Sequence, residues 1–138
     1  IQIHLFLLKY LVNFLPLLCP FSLSKCKMAL NLSRGKPIKY STSNRIASLV
    51  ANGIYTFIDR QTKFDDFFDE NEMGFYKNEV DLLQKIESIK DDEKKIFNFS
   101  KNGMRKYFKL FNNKLITKYI IDRTFNSNDD KEQIWEKY

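Results

Sequence analysis

Histidine and cysteine, the residues that most often ligate transition metals, are scarce in this 138-residue chain. The single histidine, His4, lies in an apolar run without a second histidine as partner, which favours packing over a ligand role. The two cysteines, Cys19 and Cys26, are seven positions apart and no second pair exists, so the sequence predicts neither a zinc site nor a disulfide framework. We expect reduced, buried thiols, as in a cytoplasmic protein.

Glycine is also scarce: the four glycines form no glycine-rich phosphate-binding motif, and no internal repeat is visible. The charge is mildly positive, because 23 basic and 17 acidic residues give a formal net charge of +6. This bias suits an anionic ligand, a nucleic acid or an anionic membrane surface, and does not discriminate between them. The length allows one small domain. A hydrophobic content of 43%, with 13 phenylalanines, is enough for a core dominated by aromatic residues.

Residues 1–24 are a segment of uncertain status, because residues 1–21 are largely apolar and Lys9 is their only full charge. Their length would suit a membrane-spanning helix. Four residues argue against a span: Lys9, Asn13, Pro16 and Pro20. A signal peptide is a second interpretation, but a basic start and a small-residue cleavage site are both missing. A buried strand and helix of the sheet, or non-native sequence at the edge of a fragment, are favoured over a membrane span. The chain starts with Ile1 rather than Met, so we expect a fragment of a longer reading frame.

Residues 28–59 form the segment around which the rest is organised, and they predict strand, basic loop, helix and strand in that order. The basic loop, residues 33–43, is rich in turn-forming and capping residue types. Ser43 or Asn44 is a suitable N-cap for the helix that follows. Gly53 ends that helix, since the position after a helix often requires positive φ. The next run, rich in β-branched and aromatic residues, predicts a buried strand, which completes a βαβ unit of a parallel sheet.

The basic loop places four cations where such a sheet binds its ligands. Open α/β sheets bind ligands beyond the carboxyl ends of their strands. Arg34, Lys36, Lys39 and Arg45 fall there, next to a helix N-terminus with unpaired N–H groups and a partial positive charge. Together they predict a binding site for a phosphate or diphosphate. The alternative is that these residues only solvate a loop.

After this unit, Thr62 is a candidate cap for a short helix through the phenylalanines of residues 64–68. An acidic cluster accompanies it: Asp65, Asp66, Asp69, Glu70 and Glu72. Paired carboxylates invite a catalytic interpretation, but no neighbouring residue explains a shifted pKa. Solvated acidic residues that favour the dipole of a helix start are the preferred interpretation.

The remaining elements are predicted as a strand at residues 73–76, helices at 78–90, 91–111 and 115–125, and a loose polar tail at 126–138 that Trp135 anchors. Asn78 and Asp81 resemble a capping box at the start of the first of these helices. In the second helix apolar residues recur with a spacing that is mostly three or four when neighbouring turns are compared: Ile96, Phe99, Met104, Tyr107, Phe108 and Phe111. Gly103 interrupts it at a cost of about 1 kcal/mol.

Several short motifs occur in an order that resembles a known family. NLSRG closes the first strand, and Arg45, Ser48, Ala51 and Gly53 fall on the pattern R-x-x-E-x-x-A-x-G. FDDFF, GFY and DLLQKI follow, and NFSKNGMRKYFKLFNNKLITKYIIDR completes the set. With these motifs, residues 25–123 resemble the C-terminal half of a GT-B glycosyltransferase of the group-one, spore-maturation-like type.

The resemblance implies a Rossmann-like, three-layer α/β half-domain with a small parallel sheet and C-terminal helices, over residues 25–125. It implies binding of a nucleoside-diphosphate sugar, without metal or cofactor, for transfer to a hydroxyl acceptor in glycan or surface-polysaccharide assembly. A missing N-terminal domain would bind that acceptor, so the fragment alone is expected to be inactive. The implied donor-binding residues are Arg34, Gly35, Lys36, Lys39, Tyr40, Ser43, Asn44, Arg45 and Ser48. The family often has Glu, which grips the ribose, where this chain has Ser48, so the ribose contact and the nucleotide stay open.

Two other functions remain as alternatives. A non-catalytic nucleic-acid-binding module would use the basic and aromatic bias, but stacking on bases requires exposed aromatic residues, and most of these fall at helical core spacing. Phe97 and Tyr119 are the less clear cases. A membrane-attached structural fragment would rest only on residues 1–21. We expect a cytoplasmic protein without a nucleic-acid partner, and association with the inner face of the membrane is left open.

Overall fold

The computed structural model of the chain describes residues 23, 25–33, 35–41 and 44–125. The interpretations of residues 1–22 and of the tail 126–138 lie outside the described residues. The described chain contains three strands and four α-helices: β1 (Met28–Asn31), α1 (Asn44–Ala51), β2 (Tyr55–Asp59), β3 (Gly74–Tyr76), α2 (Glu79–Ile89), α3 (Glu93–Leu110) and α4 (Asn113–Phe125). In this part of the chain, every helix is too short or too polar to span a bilayer.

The three strands form a parallel sheet in the order β1-β2-β3, with α1 as the crossover between the first two. Leu30 lies beside Phe57 in the register, and Asp59 lies beside Tyr76. Gly53 has φ +70° just after α1, as a glycine that ends a helix requires. The predicted βαβ unit is confirmed, and the domain is an α/β, Rossmann-like half-domain followed by C-terminal helices.

The alternation of side chains along β2 divides the core between the two faces of the sheet. Ile58 belongs to a cluster with Ile46 and Val50 of α1 and with Phe75 of β3. Tyr55 and Phe57 belong to the other cluster, with three residues from α2 and α3: Leu82, Ile89 and Ile96. A two-sided core of this kind covers both faces of a parallel sheet, as such sheets require.

Helix α3 crosses the amino edge of the sheet. Its Phe99 ring lies 5.6 Å from the ring of Tyr55, the first residue of β2. Gly103 lies so close to the chain entering β3 that a Cβ built on it would be 2.1 Å from the carbonyl oxygen of Glu72, two residues before the strand. We call the opposite edge, where β1, β2 and β3 end at Asn31, Asp59 and Tyr76, the carboxyl rim. The long helix therefore covers the edge away from the expected ligand site.

The predicted α-helix near residues 64–68 is wrong. The segment forms two 3₁₀ turns, Arg60–Thr62 and Phe64–Asp66, separated by Lys63 in the left-handed region at φ +59°. Asp59 caps the first turn, with its Oδ1 accepting from the Gln61 N–H at 2.8 Å. Thr62 is not a cap: it is fully buried and its hydroxyl donates to the Asp59 carbonyl at 2.6 Å. We call residues 60–68 the turn segment.

The predicted capping of α2 is confirmed, because the Asp81 N–H donates to Asn78 Oδ1 at 2.9 Å. The carboxylate of Asp81 accepts from the Lys77 N–H instead of returning to Asn78. In α3 the buried positions follow a spacing of three or four residues: Ile96, Ser100, Gly103 and Leu110. Phe108, one of the apolar residues of the predicted pattern, lies off this stripe and is 51% exposed. The last helix begins two residues earlier than predicted and has no buried residue.

Buried tyrosines make stability sensitive to alkaline pH. The Tyr55 hydroxyl donates to the Glu70 carbonyl at 2.7 Å, and burial, with a smaller contribution from the charge of Glu70, raises the pKa of Tyr55 above its ordinary value of 10.0. Burial and the nearby Asp59 raise the pKa of Tyr76 in the same direction. The folded chain thus holds these protons more tightly than the unfolded chain does.

We therefore expect stability to be independent of these tyrosines below pH about 10 and to fall as pH rises above it. Urea unfolding at pH 8 and pH 10.5 measures this. Tyr55→Phe should lower stability at pH 8 by about 1 kcal/mol, through loss of its hydrogen bond, but should reduce the alkaline loss. An equal alkaline loss in the Tyr55→Phe and parent chains would contradict this expectation.

Candidate functional site

The basic loop leaves β1 at the carboxyl rim and leads into α1. Gly35 has φ +79°, and a Cβ built on it would have no atom within 4 Å. Glycine is therefore favoured here by the backbone conformation and not by a lack of space. Lys36 and Lys39 are exposed beside it. Arg34 and Ser43, two of the predicted donor-binding residues, lie outside the described residues. The described part of the loop thus carries two exposed lysines.

Arg45 joins the start of α1 to the end of β1. Its Nη1 donates to the carbonyl oxygen of Leu32, the residue after β1, at 3.4 Å. Asn44, the first residue of α1, is exposed next to it. Ser48 lies one turn further along the helix, half-buried, and its carbonyl accepts from Asn52 Nδ2 at 2.6 Å. The guanidinium of Arg45 therefore lies at the carboxyl rim, as the βαβ interpretation predicts, whereas Ser48 is set back from the helix start.

Tyr40 is fixed to the turn segment. Its N–H donates to the Thr62 carbonyl at 2.8 Å, and its hydroxyl donates to Asp66 Oδ2 at 2.8 Å. The ammonium of Lys39 lies 4.5 Å from the centroid of the Tyr40 ring, a cation–π distance. These contacts bring Lys39 and Tyr40 together and tie both to the carboxyl end of β2. Asp66 and Thr62 were not predicted from the sequence as partners of the loop, because no local signal links residues more than 20 positions apart.

The three described cations of the site keep their charge uncompensated. No carboxylate in the described part of the chain forms an ion pair with Lys36, Lys39 or Arg45. Arg60 also follows a strand at the carboxyl rim, but it pairs with Asp65 at 3.1 Å and with Glu70. Unlike Arg60, the cations of the basic loop and of the first turn of α1 therefore have no carboxylate partner in the described chain.

The acidic cluster has a structural role in this fold. Glu70 pairs with Arg60 and with Lys85 of α2, whose Nζ lies 2.8 Å from Oε1. Glu72 pairs with Lys106 of α3 at 2.7 Å and accepts from the Asp69 N–H at 2.8 Å. The interpretation of these carboxylates as solvated residues at a helix start holds only in part: Asp69 is 80% exposed, but no α-helix starts there, and Asp65, Glu70 and Glu72 are paired. They attach the turn segment to the surrounding helices.

Comparison with known proteins identifies the family. A model of the glycosyl transferase-like family matches residues 19–122, which is about three quarters of the chain. Neither the curated proteins nor the solved structures contain a match. The matched range includes the sheet, the basic loop and the turn segment. With its parallel sheet and its cationic carboxyl rim, the chain belongs to the glycosyl transferase-like family, and its function is in general terms that of a glycosyltransferase.

Proposed function

We propose that the chain is the donor domain of a glycosyltransferase and binds a nucleoside-diphosphate sugar at the carboxyl rim. The observation that carries this proposal is that three cations on the loop and helix start that follow β1, Lys36, Lys39 and Arg45, have no carboxylate partner among the described residues. A diphosphate carries the complementary charge, and the first turn of α1 adds unpaired N–H groups. Arg34 and Ser43 are proposed to complete the site.

The same cations would stabilise the leaving group during transfer. When the bond between the anomeric carbon and the diphosphate oxygen breaks, that oxygen gains negative charge. Fixed cations beside it bind the departing diphosphate more strongly than the intact donor, which lowers the barrier. The acceptor hydroxyl and the base that takes its proton are proposed to lie in a second domain. We therefore expect donor binding, and no turnover, from this chain alone.

Calorimetric titration of the chain with UDP and GDP tests the proposed function. Because side chains are proposed to neutralise the diphosphate, the dissociation constant should be the same in Mg²⁺ and in EDTA. Binding of either nucleotide only in the presence of a divalent cation would contradict metal independence. Absence of binding by both, together with tight and salt-sensitive binding of a mixed-sequence oligonucleotide, would favour the nucleic-acid alternative.

Ser48 allows a test in which a substitution is expected to tighten nucleotide binding. The family resemblance places a ribose-binding carboxylate at this position, and a serine there can neither reach as far nor form a charge-assisted hydrogen bond. We expect Ser48→Glu to tighten UDP binding about fivefold, the effect of one additional hydrogen bond of about 1 kcal/mol.

A nucleotide with one hydroxyl fewer identifies the contact. With 2′-deoxyuridine diphosphate, the gain of Ser48→Glu should be smaller than with UDP, since one of the two ribose hydroxyls is missing. Ser48→Gln is the matched variant without charge and should gain less with both. If Ser48→Glu weakens UDP binding, the ribose does not approach this position.

A further inference from the structure

Tyr40 attaches the basic loop to the turn segment through both its backbone and its side chain. The backbone N–H donates to Thr62 and the hydroxyl donates to Asp66, each at 2.8 Å. The Tyr40 ring also meets the ring of Phe67 edge-on, with centroids 5.2 Å apart. We propose that Tyr40 and Asp66 are a positioning pair that holds the cations of the basic loop over the carboxyl rim, an inference that rests on the proposed function.

The backbone of Tyr40 depends on these contacts. Its φ of +59° lies in the left-handed region, which residues other than glycine rarely adopt unless the surrounding structure holds them there. Lys63, next to the acceptor residue Thr62, has the same φ of +59°. Two residues with a left-handed backbone thus lie on either side of one hydrogen bond. The shape of the loop at Tyr40 follows from its partners rather than from its own conformational preference.

The partner side of this attachment is anchored in the core. Thr62 is fully buried, and its hydroxyl donates to the carbonyl of Asp59, the last residue of β2, at 2.6 Å. Phe67 is 8% exposed and belongs to the core cluster on the α1 face. A continuous series of contacts therefore runs from the end of β2 through Thr62 to Tyr40.

Lys39 is the cation that the attachment controls most directly. Its ammonium lies 4.5 Å from the centroid of the Tyr40 ring, and no carboxylate of the described chain pairs with it. If the Tyr40 hydroxyl loses its acceptor, the ring and the ammonium above it lose a fixed position together. The cation density at the rim then falls, although no cation has been removed.

The sign of the Asp66 effect separates positioning from simple electrostatics. Asp66 carries the same sign of charge as a diphosphate, so its removal would strengthen anion binding if charge alone mattered. Positioning predicts the opposite: Asp66→Ala should weaken binding of UDP and of inorganic diphosphate about fivefold, as should Tyr40→Phe. The double variant should be no weaker than either single one, because both remove the same hydrogen bond. Asp66→Asn keeps an acceptor oxygen and should bind at least as tightly as the parent chain.

The test combines calorimetry with amide exchange on the 138-residue chain. In the absence of ligand, Asp66→Ala should speed exchange of the Tyr40 amide and leave the β2 amides protected, which shows that the fold is intact. Asp69→Ala is the control, since its carboxylate is 80% exposed and lies 3.8 Å from Lys106. It should change neither the affinity nor the Tyr40 exchange rate.

The outcomes distinguish this inference from the proposed function. Equal or tighter UDP binding by Asp66→Ala and Tyr40→Phe, when the parent chain binds UDP, overturns the positioning pair alone. Unchanged exchange of the Tyr40 amide in Asp66→Ala overturns it as well. Absence of UDP, GDP and diphosphate binding by the parent chain overturns the proposed function, and the positioning role with it.

Discussion

Gly103→Ala is expected to destabilise the chain by about 3 kcal/mol, the upper range for an overpacked core position. The Cβ of alanine would lie 2.1 Å from the Glu72 carbonyl oxygen, well inside van der Waals contact. This carbonyl cannot move away easily, because the Glu72 side chain is held by Lys106 at 2.7 Å and by the Asp69 N–H at 2.8 Å. Helix α3 must therefore shift away from the amino edge of the sheet.

The expected loss of stability is opposite to the effect of helix propensity, which favours alanine over glycine by about 1 kcal/mol inside a helix. The matched control is Asn102→Ala, at an exposed neighbouring position, which should change stability by less than about 0.5 kcal/mol or increase it slightly. Urea unfolding followed by circular dichroism measures both variants. A Gly103→Ala chain as stable as the parent would show that α3 does not pack against the Glu72 carbonyl.

Arg45→Ala should weaken binding of UDP and GDP about 10- to 100-fold, the range for a charge-assisted hydrogen bond to phosphate. The guanidinium is placed beside the end of β1 by its bond to the Leu32 carbonyl, and no carboxylate among the described residues pairs with it. Arg45→Lys keeps the charge but loses the planar fork, so it should recover only part of the affinity.

The control for Arg45 removes an equal charge elsewhere. Arg105 is exposed on α3, the helix that crosses the amino edge, so Arg105→Ala changes the net charge by the same amount away from the carboxyl rim. It should leave the dissociation constants within about twofold of the parent values, because exposed charges beyond a Debye length are largely screened. Equal losses of affinity in both variants would show that only the net charge matters, and would contradict a specific binding site at the carboxyl rim.

The order of the strands and helices could be predicted because each follows from local chemistry. A β-branched run with flanking turn residues predicts β2, Gly53 predicts the end of α1, and Asn78 predicts the start of α2. The turn segment could not be predicted in this way. Three phenylalanines at helical spacing suggested an α-helix, whereas the left-handed backbone of Lys63 and the capping side chain of Asp59 divide the segment into two 3₁₀ turns.

Tertiary contacts limited the prediction of the site in the same way. Arg45 at the carboxyl rim follows from the βαβ rule, and the structure confirms that position. The bond between Tyr40 and Asp66 joins residues 26 positions apart, so no periodicity or motif announces it. Gly103 looked like an unfavourable residue inside a helix, because the sequence does not show that the Glu72 backbone passes beside it.

The most direct test of the donor site is a map of amide chemical shifts of the chain at saturating UDP. The account predicts that the largest changes cluster at Gly35 to Ser41 and in the first turn of α1, with smaller ones at the turn segment. The amides of α3 along the amino edge should be unaffected. Shifts confined to α3 or α4, with none in the basic loop, would contradict a nucleoside-diphosphate site at the carboxyl rim.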